Sequence, residues 1–306
     1  MKKRPSLRPK KKSGTGPRTI VVSKRFILVG LLIFLVCGLI YFENLKEDES
    51  EVQPSSNDTM VKATNDYQIS VIDNSTGGDV SNNTVLMENI TKTPLITELV
   101  ETAKKGTPMI IFGNGSQPRV MMVAGIHGAE LPPQIAVCDL INELNGKKIN
   151  GTIYIIPFAV PYDTATDTRI HNGNDPDRVA HVPGTPTNII SNTSKNNNVT
   201  MLVDFHSARP NDVPGKNCII YNPENPESLK IALFINNITK SPLMKVGSYP
   251  GVLSTMSNRN NISSVVCEVL SPHSKVEPGS VELSYQYMMV FLEYAGVYSN
   301  NTETIG

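Results

Sequence analysis

The chain has 306 residues, with 28 basic and 28 acidic side chains, so its formal net charge is zero at neutral pH. This balance by itself indicates nothing about partners, and we expect no nucleic-acid partner. The length accommodates one domain of roughly 200 residues together with segments outside it.

The basic residues are concentrated at the N-terminus, before an uncharged apolar segment. Ten of them lie within residues 1–25, and residues 26–42 read FILVGLLIFLVCGLIYF. At about 1.5 Å per residue this segment is about 26 Å long, close to the thickness of a bilayer's hydrocarbon core. No small-residue cleavage site follows Ile40, which favours an uncleaved signal-anchor. The positive-inside rule then predicts a cytoplasmic tail (1–25), a single transmembrane anchor (26–42) and an extracellular remainder.

Residues 43–95 are rich in Asn, Ser, Thr, Asp and Glu and lack a sustained apolar period. Such a composition buries too little apolar surface to offset the entropy of ordering, so it predicts a disordered polar stalk. Eleven N-x-S/T sequons lie beyond the anchor, which agrees with an external location, although an Asn-rich chain also produces sequons by chance. The cysteines beyond the anchor lack zinc-finger spacing and are predicted to be buried as small apolar residues.

Residues 96–306 show short apolar runs that alternate with helical patterns. Predicted strands cover 108–112, 119–126, 152–158, 201–206, 218–221 and 263–270, and predicted helices cover 131–146, 228–238 and 279–296. A short amphipathic helix, PLITELVETAKKG, is predicted to open this domain, and a long polar segment, 159–199, has no regular pattern. The alternation predicts an α/β domain with a mostly parallel or mixed central sheet flanked by helices.

The first candidate site is GIHGAE, residues 125–130, where a predicted strand ends and a helix begins. Ligands bind at the carboxyl ends of strands in open α/β sheets. Gly125 and Gly128 permit a tight turn that lets His127 and Glu130 face one metal ion. Taken alone, this motif is weak, because a surface His beside a Glu at a helix start is the commoner explanation of such a pattern.

A second motif, VDFHS at residues 203–207, ends another predicted strand in a His. Because side chains alternate along a strand, Asp204 and His206 lie on the same face. Two His and one carboxylate from two strand ends match a catalytic zinc ion with an open fourth position. Asp204 could accept a hydrogen bond from a ligating His or could cap a turn.

Three further charged residues carry candidate chemistry. Glu268 lies within the apolar strand SSVVCEVL, where an acid is costly unless it has a function or a partner, so we interpret it as a general base. The alternative is a Glu on an exposed strand face. Arg169 and Arg178 lie in the long polar segment, where they could reach one pocket and bind a carboxylate or an oxyanion, although surface arginines are also common in loops.

The four motifs occur in a characteristic order. GIHGAE (125–130), Arg169 to NDPDR (174–178), VDFHSA (203–208) and CEV (267–269) follow one another within residues 106–300. In these residues the chain resembles the succinylglutamate desuccinylase and aspartoacylase group of the zinc carboxypeptidase-like, M14-type hydrolases. The resemblance implies the zinc carboxypeptidase-like fold and one zinc ion per chain, held by His127, Glu130 and His206.

The resemblance also implies roles for the other candidates. Glu268 matches the catalytic Glu of the group, and Arg169 matches an Arg that polarises the scissile carbonyl. Arg178 matches the Arg of an Asn-Arg pair that grips a substrate carboxylate, but the preceding residue is Asp177 rather than Asn. An acid at that position would weaken the binding of an anionic substrate. Tyr249, in a Gly/Pro loop, is either a substrate contact or a structural residue.

The sequence therefore predicts a membrane-anchored, extracytoplasmic zinc hydrolase that cleaves an amide bond, with zinc-activated water and Glu268 as general base. Its substrate would be a peptide, as in a metallocarboxypeptidase, or an N-acyl amino acid, as in a deacylase. External tethering favours a peptide of the cell envelope or of the surroundings. The alternative is a non-catalytic surface-binding domain that keeps the hydrolase fold. A stalked adhesin would explain the anchor but not the spaced His and Glu residues.

Overall fold

The structure, a computed structural model, describes residues 67–247 and 249–299. The predicted cytoplasmic tail, the transmembrane anchor at 26–42 and the first part of the predicted stalk lie outside these residues. Within the described part of the chain, no helix is both long and apolar enough to cross a bilayer.

The described residues form eight strands and eight α-helices, joined by short 3-10 turns. The strands are β1 (Tyr67–Asp73), β2 (Thr107–Gly113), β3 (Arg119–Ala124), β4 (Thr152–Ile156), β5 (Met201–Ala208), β6 (Cys218–Tyr221), β7 (Leu243–Lys245) and β8 (Ser263–Leu270). The helices are α1 (Thr84–Asn89), α2 (Pro94–Ala103), α3 (Leu131–Leu144), α4 (Pro161–Ala165), α5 (Pro186–Asn196), α6 (Pro226–Thr239), α7 (Leu253–Arg259) and α8 (Ser280–Tyr294).

The strands form one mixed sheet in the order β1-β2-β4-β3-β5-β8-β6-β7. The four central strands, β4, β3, β5 and β8, are parallel to one another. β1 and β2 add antiparallel pairs at one side, and β6 pairs antiparallel with β8 at the other. The predicted α/β fold with a mixed central sheet flanked by helices is confirmed, and the carboxyl ends of β3, β5 and β8 lie at one edge.

The two faces of the sheet bury separate apolar clusters. Met122 of β3 faces a cluster that includes side chains of α1, α2, α3, α6 and α8, whereas its neighbour Met121 faces a smaller cluster with Ile190 of α5 and Leu253 of α7. Both methionines are fully buried, which explains why β3 is a continuous apolar run rather than an alternating one. Helices therefore cover both faces of the sheet.

The structure places residues 67–95, which the composition assigned to the stalk, in the folded domain. β1 pairs with β2 along its length, with Tyr67 opposite Phe112. Val80 and Leu86 are fully buried in the larger apolar cluster. The composition gave the wrong prediction for these residues because their few apolar side chains are separated by polar ones that form caps and turns. Asn83, for example, caps α1 with its side chain.

The polar segment 159–199 contains more regular structure than its composition predicted. Its two helices, α4 and α5, each have a proline in the first turn, where the missing N–H costs nothing. α4 is only five residues long, and α5 buries Ile190 as its one large apolar side chain. Both helices are held by tertiary packing, which explains why helical periodicity did not reveal them.

Three free cysteines, Cys138, Cys218 and Cys267, are buried in the described domain, which confirms their predicted role as small core residues. Burial raises the pKa of each thiol, to about 12 for Cys218.

Candidate metal centre

The candidate residues come together at the carboxyl edge of the central strands. Ala124, the last residue of β3, pairs with Phe205 of β5, so the turn after β3 lies beside His206. His206 pairs in turn with Glu268 on β8, and paired residues of neighbouring strands project to the same face of a sheet. The sheet register thus brings His127, Glu130, His206 and Glu268 to one place.

The turn after β3 is shaped by its two glycines. Gly125 has a φ of +76°, a left-handed conformation that other residues rarely adopt. A Cβ atom on Gly128 would lie 2.0 Å from the backbone carbonyl carbon of Asp163 in α4, so only glycine allows this close approach. The turn is also tied to the polar segment by the Ala129 N–H, which donates to the Thr168 carbonyl at 3.0 Å.

His127, Glu130 and His206 form a compact ligand set. His127 Nδ1 lies 2.9 Å from Glu130 Oε1 and 3.2 Å from His206 Nδ1, and His206 Nδ1 lies 2.9 Å from Glu130 Oε2. Ligand atoms arranged tetrahedrally around zinc are roughly 3.3 Å apart, since each is about 2.0–2.2 Å from the metal. All three residues are buried, with at most 4% exposure. The set therefore fits a zinc ion.

Each histidine has a carboxylate behind its other ring nitrogen. Asp175 Oδ1 lies 2.8 Å from His127 Nε2, and Asp204 Oδ2 lies 3.0 Å from His206 Nε2. The Asp204 pair is not aligned for a hydrogen bond, and both Asp204 oxygens lack another hydrogen-bond partner within the described residues. A carboxylate in this position holds a ligating imidazole in the tautomer that frees its other nitrogen for metal. Asp204 thus lies where a hydrogen-bond acceptor is required for the ring nitrogen of His206 that does not face the metal.

These carboxylates also raise the pKa of both histidines. Burial opposes protonation of His206, but Asp204 and Glu130 outweigh it and raise its pKa well above the usual value. For His127, Glu130 and Asp175 likewise overcome burial. Metal binding must displace these protons, so metal affinity should depend on pH.

A second group, Asp177, Asp204 and His206, also has ligand atoms within 4.8 Å of one another. It shares His206 with the first group, and a neutral imidazole offers one lone pair. The two groups therefore cannot both use His206 as a ligand. The first group is favoured because its atoms already have the spacing of a zinc site.

Arg169 lies directly on the ligand set. Its Nη1 donates to Glu130 Oε1 and is 2.8 Å from His127 Nδ1, while its Nη2 donates to Asp175 Oδ2 at 3.3 Å. The structure thus brings Arg169 to the site, where its guanidinium can stabilise negative charge that develops on a bound substrate.

Glu268 is partly accessible through a cavity that also contains the ligand set. Burial raises the pKa of its carboxyl to about 7; His206 and His127 oppose this shift, whereas Glu130 and Asp204 reinforce it. A carboxylate with a pKa near neutrality can both accept and return a proton, which is the property that a general base requires.

Asp177, Arg178 and Tyr249 lie next to one another. Arg178 Nη1 donates to Asp177 Oδ2 at 3.1 Å, and its guanidinium lies over the Tyr249 ring, 4.8 Å from the centroid. The Leu253 N–H donates to Asp177 Oδ1 at 3.1 Å, which joins this segment to α7. Burial raises the pKa of Asp177 to about 6; His206 opposes this shift, whereas Asp204 reinforces it. Asp177 is therefore a buried structural acceptor as well as a residue at the cavity wall.

His273, which no sequence motif indicated, lines the same cavity. Its Nε2 lies 3.6 Å from Glu130 Oε1, and the next residue, Ser274, donates its N–H to the Ala129 carbonyl at 2.8 Å. Burial lowers the pKa of His273, and Glu130 opposes this shift, whereas Arg169 and Arg209 reinforce it. His273 follows β8 and belongs to no periodic pattern. The one signal in the sequence that could have indicated it was its position five residues after Glu268.

The cavity that these residues line has a volume of about 190 Å³. Known protein families and solved structures resemble this chain. A family model described as the succinylglutamate desuccinylase/aspartoacylase catalytic domain matches residues 116–178, which include His127, Glu130, Arg169 and Arg178. The predicted resemblance is confirmed. His206 and Glu268 lie outside the matched residues.

Solved structures extend the similarity to the fold of the domain. A succinylglutamate desuccinylase/aspartoacylase from Rhodobacter sphaeroides aligns with 20% identity and a TM-score of 0.52, covering 64% of this chain and 62% of that one. The product-bound ectoine utilization protein EutE (DoeB) from Ruegeria pomeroyi aligns with 17% identity and a TM-score of 0.53, covering 65% and 64%. The tripeptide-bound cell shape determinant Csd4 from Helicobacter pylori aligns with 14% identity and a TM-score of 0.51, covering 62% and 55%.

At these identities the comparisons show that the domain shares the fold of these three structures. The aligned part spans less than two thirds of each of these structures. No curated protein sequence matches the chain.

Proposed function

We propose that the chain is a zinc-dependent hydrolase that cleaves an amide bond in a peptide or an N-acyl amino acid. The observation that carries the proposal is the buried ligand set of His127, Glu130 and His206, whose ligand atoms lie 2.9–3.2 Å apart. The carboxylates of Asp175 and Asp204 behind the two imidazoles support the same conclusion, because they prepare both rings for metal binding.

Zinc held by these three residues would supply a Lewis acid that activates water and polarises the scissile carbonyl. Glu268 accepts the proton of the attacking water, because its raised pKa makes it a competent base near neutrality. The same carboxyl then delivers that proton to the leaving nitrogen. Arg169 donates hydrogen bonds to the carbonyl oxygen as negative charge develops there.

Metal content and amide hydrolysis, measured on the same samples of the full chain, test the proposal. We expect about one zinc per chain in the wild type and in Glu268→Gln, since Glu268 is not a ligand, with hydrolysis lost in the variant. His206→Ala should lose the metal. His171→Ala is the matched control, because His171 pairs with Asp163 outside the ligand set.

The rival function, a non-catalytic surface-binding domain, predicts different results. Folded protein without metal would remove the hydrolase proposal. Zinc binding without hydrolysis of any peptide or N-acyl amino acid would favour the binding domain, in which the ligand set is only structural.

The location of the domain belongs to the same proposal. The basic residues before position 26 and the apolar segment 26–42 support a single-pass anchor with the N-terminus in the cytoplasm. Protease added to intact cells should then release the domain, whereas a domain that stays protected until the cells are lysed would contradict this orientation.

A further inference from the structure

Nine of the N-x-S/T sequons lie in the described part of the chain, and the asparagine of every one of them is exposed. These residues are Asn74, Asn82, Asn89, Asn114, Asn150, Asn192, Asn198, Asn237 and Asn261. Of the fifteen other asparagines in the described residues, only six are exposed. The exposure of the sequons is therefore not simply that of asparagine in general. It meets the first requirement of N-glycosylation, which is a surface position for the modified side chain.

Four of these sequons lie at one edge of the sheet. The first residues of the four parallel central strands lie side by side, since Arg119 of β3 pairs with Thr152 of β4, and Met201 of β5 pairs with Ser263 of β8. We call the four loops that lead into these strands the amino edge. Each loop contains one sequon, at Asn114, Asn150, Asn198 and Asn261. The amino edge is opposite to the carboxyl edge, where the candidate metal centre lies.

The described loops at the carboxyl edge contain exposed asparagines but no sequon. These asparagines are Asn172, Asn174, Asn211 and Asn217. A left-handed backbone occurs at both edges, with a φ of +52° at Asn198 and of +71° at Asn211. Asparagine tolerates this conformation in turns, which explains its presence at both edges. Turn geometry does not explain the Ser or Thr two residues later, which follows all four asparagines at the amino edge and none of the four at the carboxyl edge.

The amino-edge sequons are also the ones that lie in loops. The other five described sequons begin in 3-10 turns or helices, at Asn74, Asn82, Asn89, Asn192 and Asn237. An enzyme that modifies an asparagine must reach the backbone on both sides of it, which a surface loop allows more readily than a helix. At Asn114 the two ends of the sequon are in contact, because Ser116 donates its N–H at 3.1 Å and its hydroxyl at 2.6 Å to Asn114 Oδ1.

We propose that the amino edge is N-glycosylated at Asn114, Asn150, Asn198 and Asn261. The proposal rests on the external location given under the proposed function, because sequons are glycosylated on exported parts of a chain. The co-reactant is an oligosaccharide linked to a lipid phosphate. The asparagine Nδ2 forms a bond to the anomeric carbon of the sugar, and the bond from that carbon to the phosphate oxygen breaks. The lipid phosphate leaves with the electron pair, and the amide loses one proton.

Oligosaccharides at the amino edge would leave the candidate site open. Along β5, Met201 at the amino end and His206 at the carboxyl end are five residues apart, which is about 17 Å at roughly 3.3 Å per residue. The glycans would therefore cover the side of the domain that faces away from the cavity.

Mass spectrometry of the full chain, purified from the membranes of its own cells, tests the proposal. The four peptides that contain the amino-edge asparagines should each carry a saccharide. Asn→Gln at each of the four positions should remove one glycan mass from the intact chain. Asn145→Gln is the matched control, because Asn145 is exposed in the same loop as Asn150 but does not begin a sequon. It should leave the glycan mass unchanged.

Two substitutions of Ser116 separate the sequon from the exposed asparagine. Ser116→Ala leaves Asn114 in place but destroys the motif, so the peptide that contains Asn114 should lose its saccharide. Ser116→Thr keeps the motif and the hydroxyl, so the saccharide should remain. Loss of the saccharide in both variants, or its retention in both, would overturn the assignment of Asn114.

Protease added to the same intact cells separates this proposal from the proposed location. A domain that the protease releases, with all four asparagines unmodified, would overturn the glycosylation and leave the location intact. A domain that stays protected and unmodified would overturn both. Saccharides found only at the other sequons would overturn the assignment to the amino edge. Zinc content and amide hydrolysis do not enter this test, so a chain without either leaves its result unchanged.

Discussion

Glu268 combines a position at the cavity with a pKa of about 7 that arises mainly from burial. A general base works only in its ionised form, so kcat/KM should fall as the pH decreases below that pKa. Bound zinc would favour the ionised form of Glu268, so the fall in kcat/KM would occur at pH 7 or lower. The pH profile of the wild type measures it directly, and activity that stays constant down to pH 4 would contradict this role.

Replacing the proposed base, Glu268, should remove the proton transfer itself. Glu268→Gln keeps the size of the side chain and the zinc ligands, so we expect kcat to fall about 10²- to 10⁴-fold with little change in KM. Zinc content, measured beside the kinetics, separates this loss from a loss of metal.

In the proposed zinc site, Asp204 would act on the metal only through His206. Asp204→Asn should weaken zinc binding about 10- to 100-fold, because the imidazole loses the carboxylate that orients it and raises its basicity. Asp163→Asn is the matched control, since Asp163 is an equally buried acid that pairs with His171 at 2.9 Å. Titration with a competing zinc chelator measures both, and equal losses in the two variants would indicate general destabilisation.

The sequence indicated the proposed ligand residues, which the structure brings together, because each one follows or ends an apolar strand, and strand alternation fixes the face of Asp204 and His206. It did not predict His273, which precedes a backbone hydrogen bond from the Ser274 N–H to the Ala129 carbonyl. Contacts made by turns between distant segments leave no periodic trace in a sequence.

At the scale of elements, the close contact between the turn after β3 and α4 should be the least tolerant of change. Gly128→Ala would force a Cβ atom to within 2.0 Å of the Asp163 carbonyl carbon. We expect the free energy of unfolding to fall by about 1–3 kcal/mol and zinc binding to weaken, because His127 and Glu130 move with the turn.

Gly146→Ala is a suitable control for this change. Gly146 also has a positive φ, of +74°, but a Cβ atom there would meet no neighbour within 4 Å. It should therefore lower stability through backbone strain alone and leave zinc affinity unchanged. Chemical denaturation and chelator competition distinguish the two variants.

The elements that the sequence predicted are those with enough apolar residues to differ clearly from the polar segments around them. The strands β2, β3, β4, β5 and β8 are nearly continuous apolar runs, whereas β7 has three residues and α4 has five. β1 was missed because it is an edge strand with alternately exposed residues inside a polar composition. Short and peripheral elements depend on the domain around them, which local sequence does not reveal.

At the scale of the whole molecule, the domain depends on residues that the composition assigned to a stalk. A chain that begins at residue 96 lacks β1 and α1, and it leaves the edge of β2 unpaired. It also loses the fully buried side chains of Val80 and Leu86, each worth about 1.5–3 kcal/mol. We expect such a chain to unfold at a lower temperature and to aggregate, compared with one that begins at residue 63.

Thermal unfolding followed by circular dichroism compares the two chains. A chain starting at residue 96 that unfolds as cooperatively and at the same temperature would show that β1 and α1 are dispensable additions to the core.

The three buried cysteines allow the opening of the core to be followed in time. A thiol reacts through its thiolate, and burial has raised the pKa of Cys138, Cys218 and Cys267 so far that this form is scarce in the folded domain. Alkylation of a chain that begins at residue 63 must therefore wait for the core to open. The rate of labelling then measures the rate of that opening. One thiol lies on α3 and two lie on the neighbouring strands β6 and β8, so the order in which they are labelled shows which part of the core opens first.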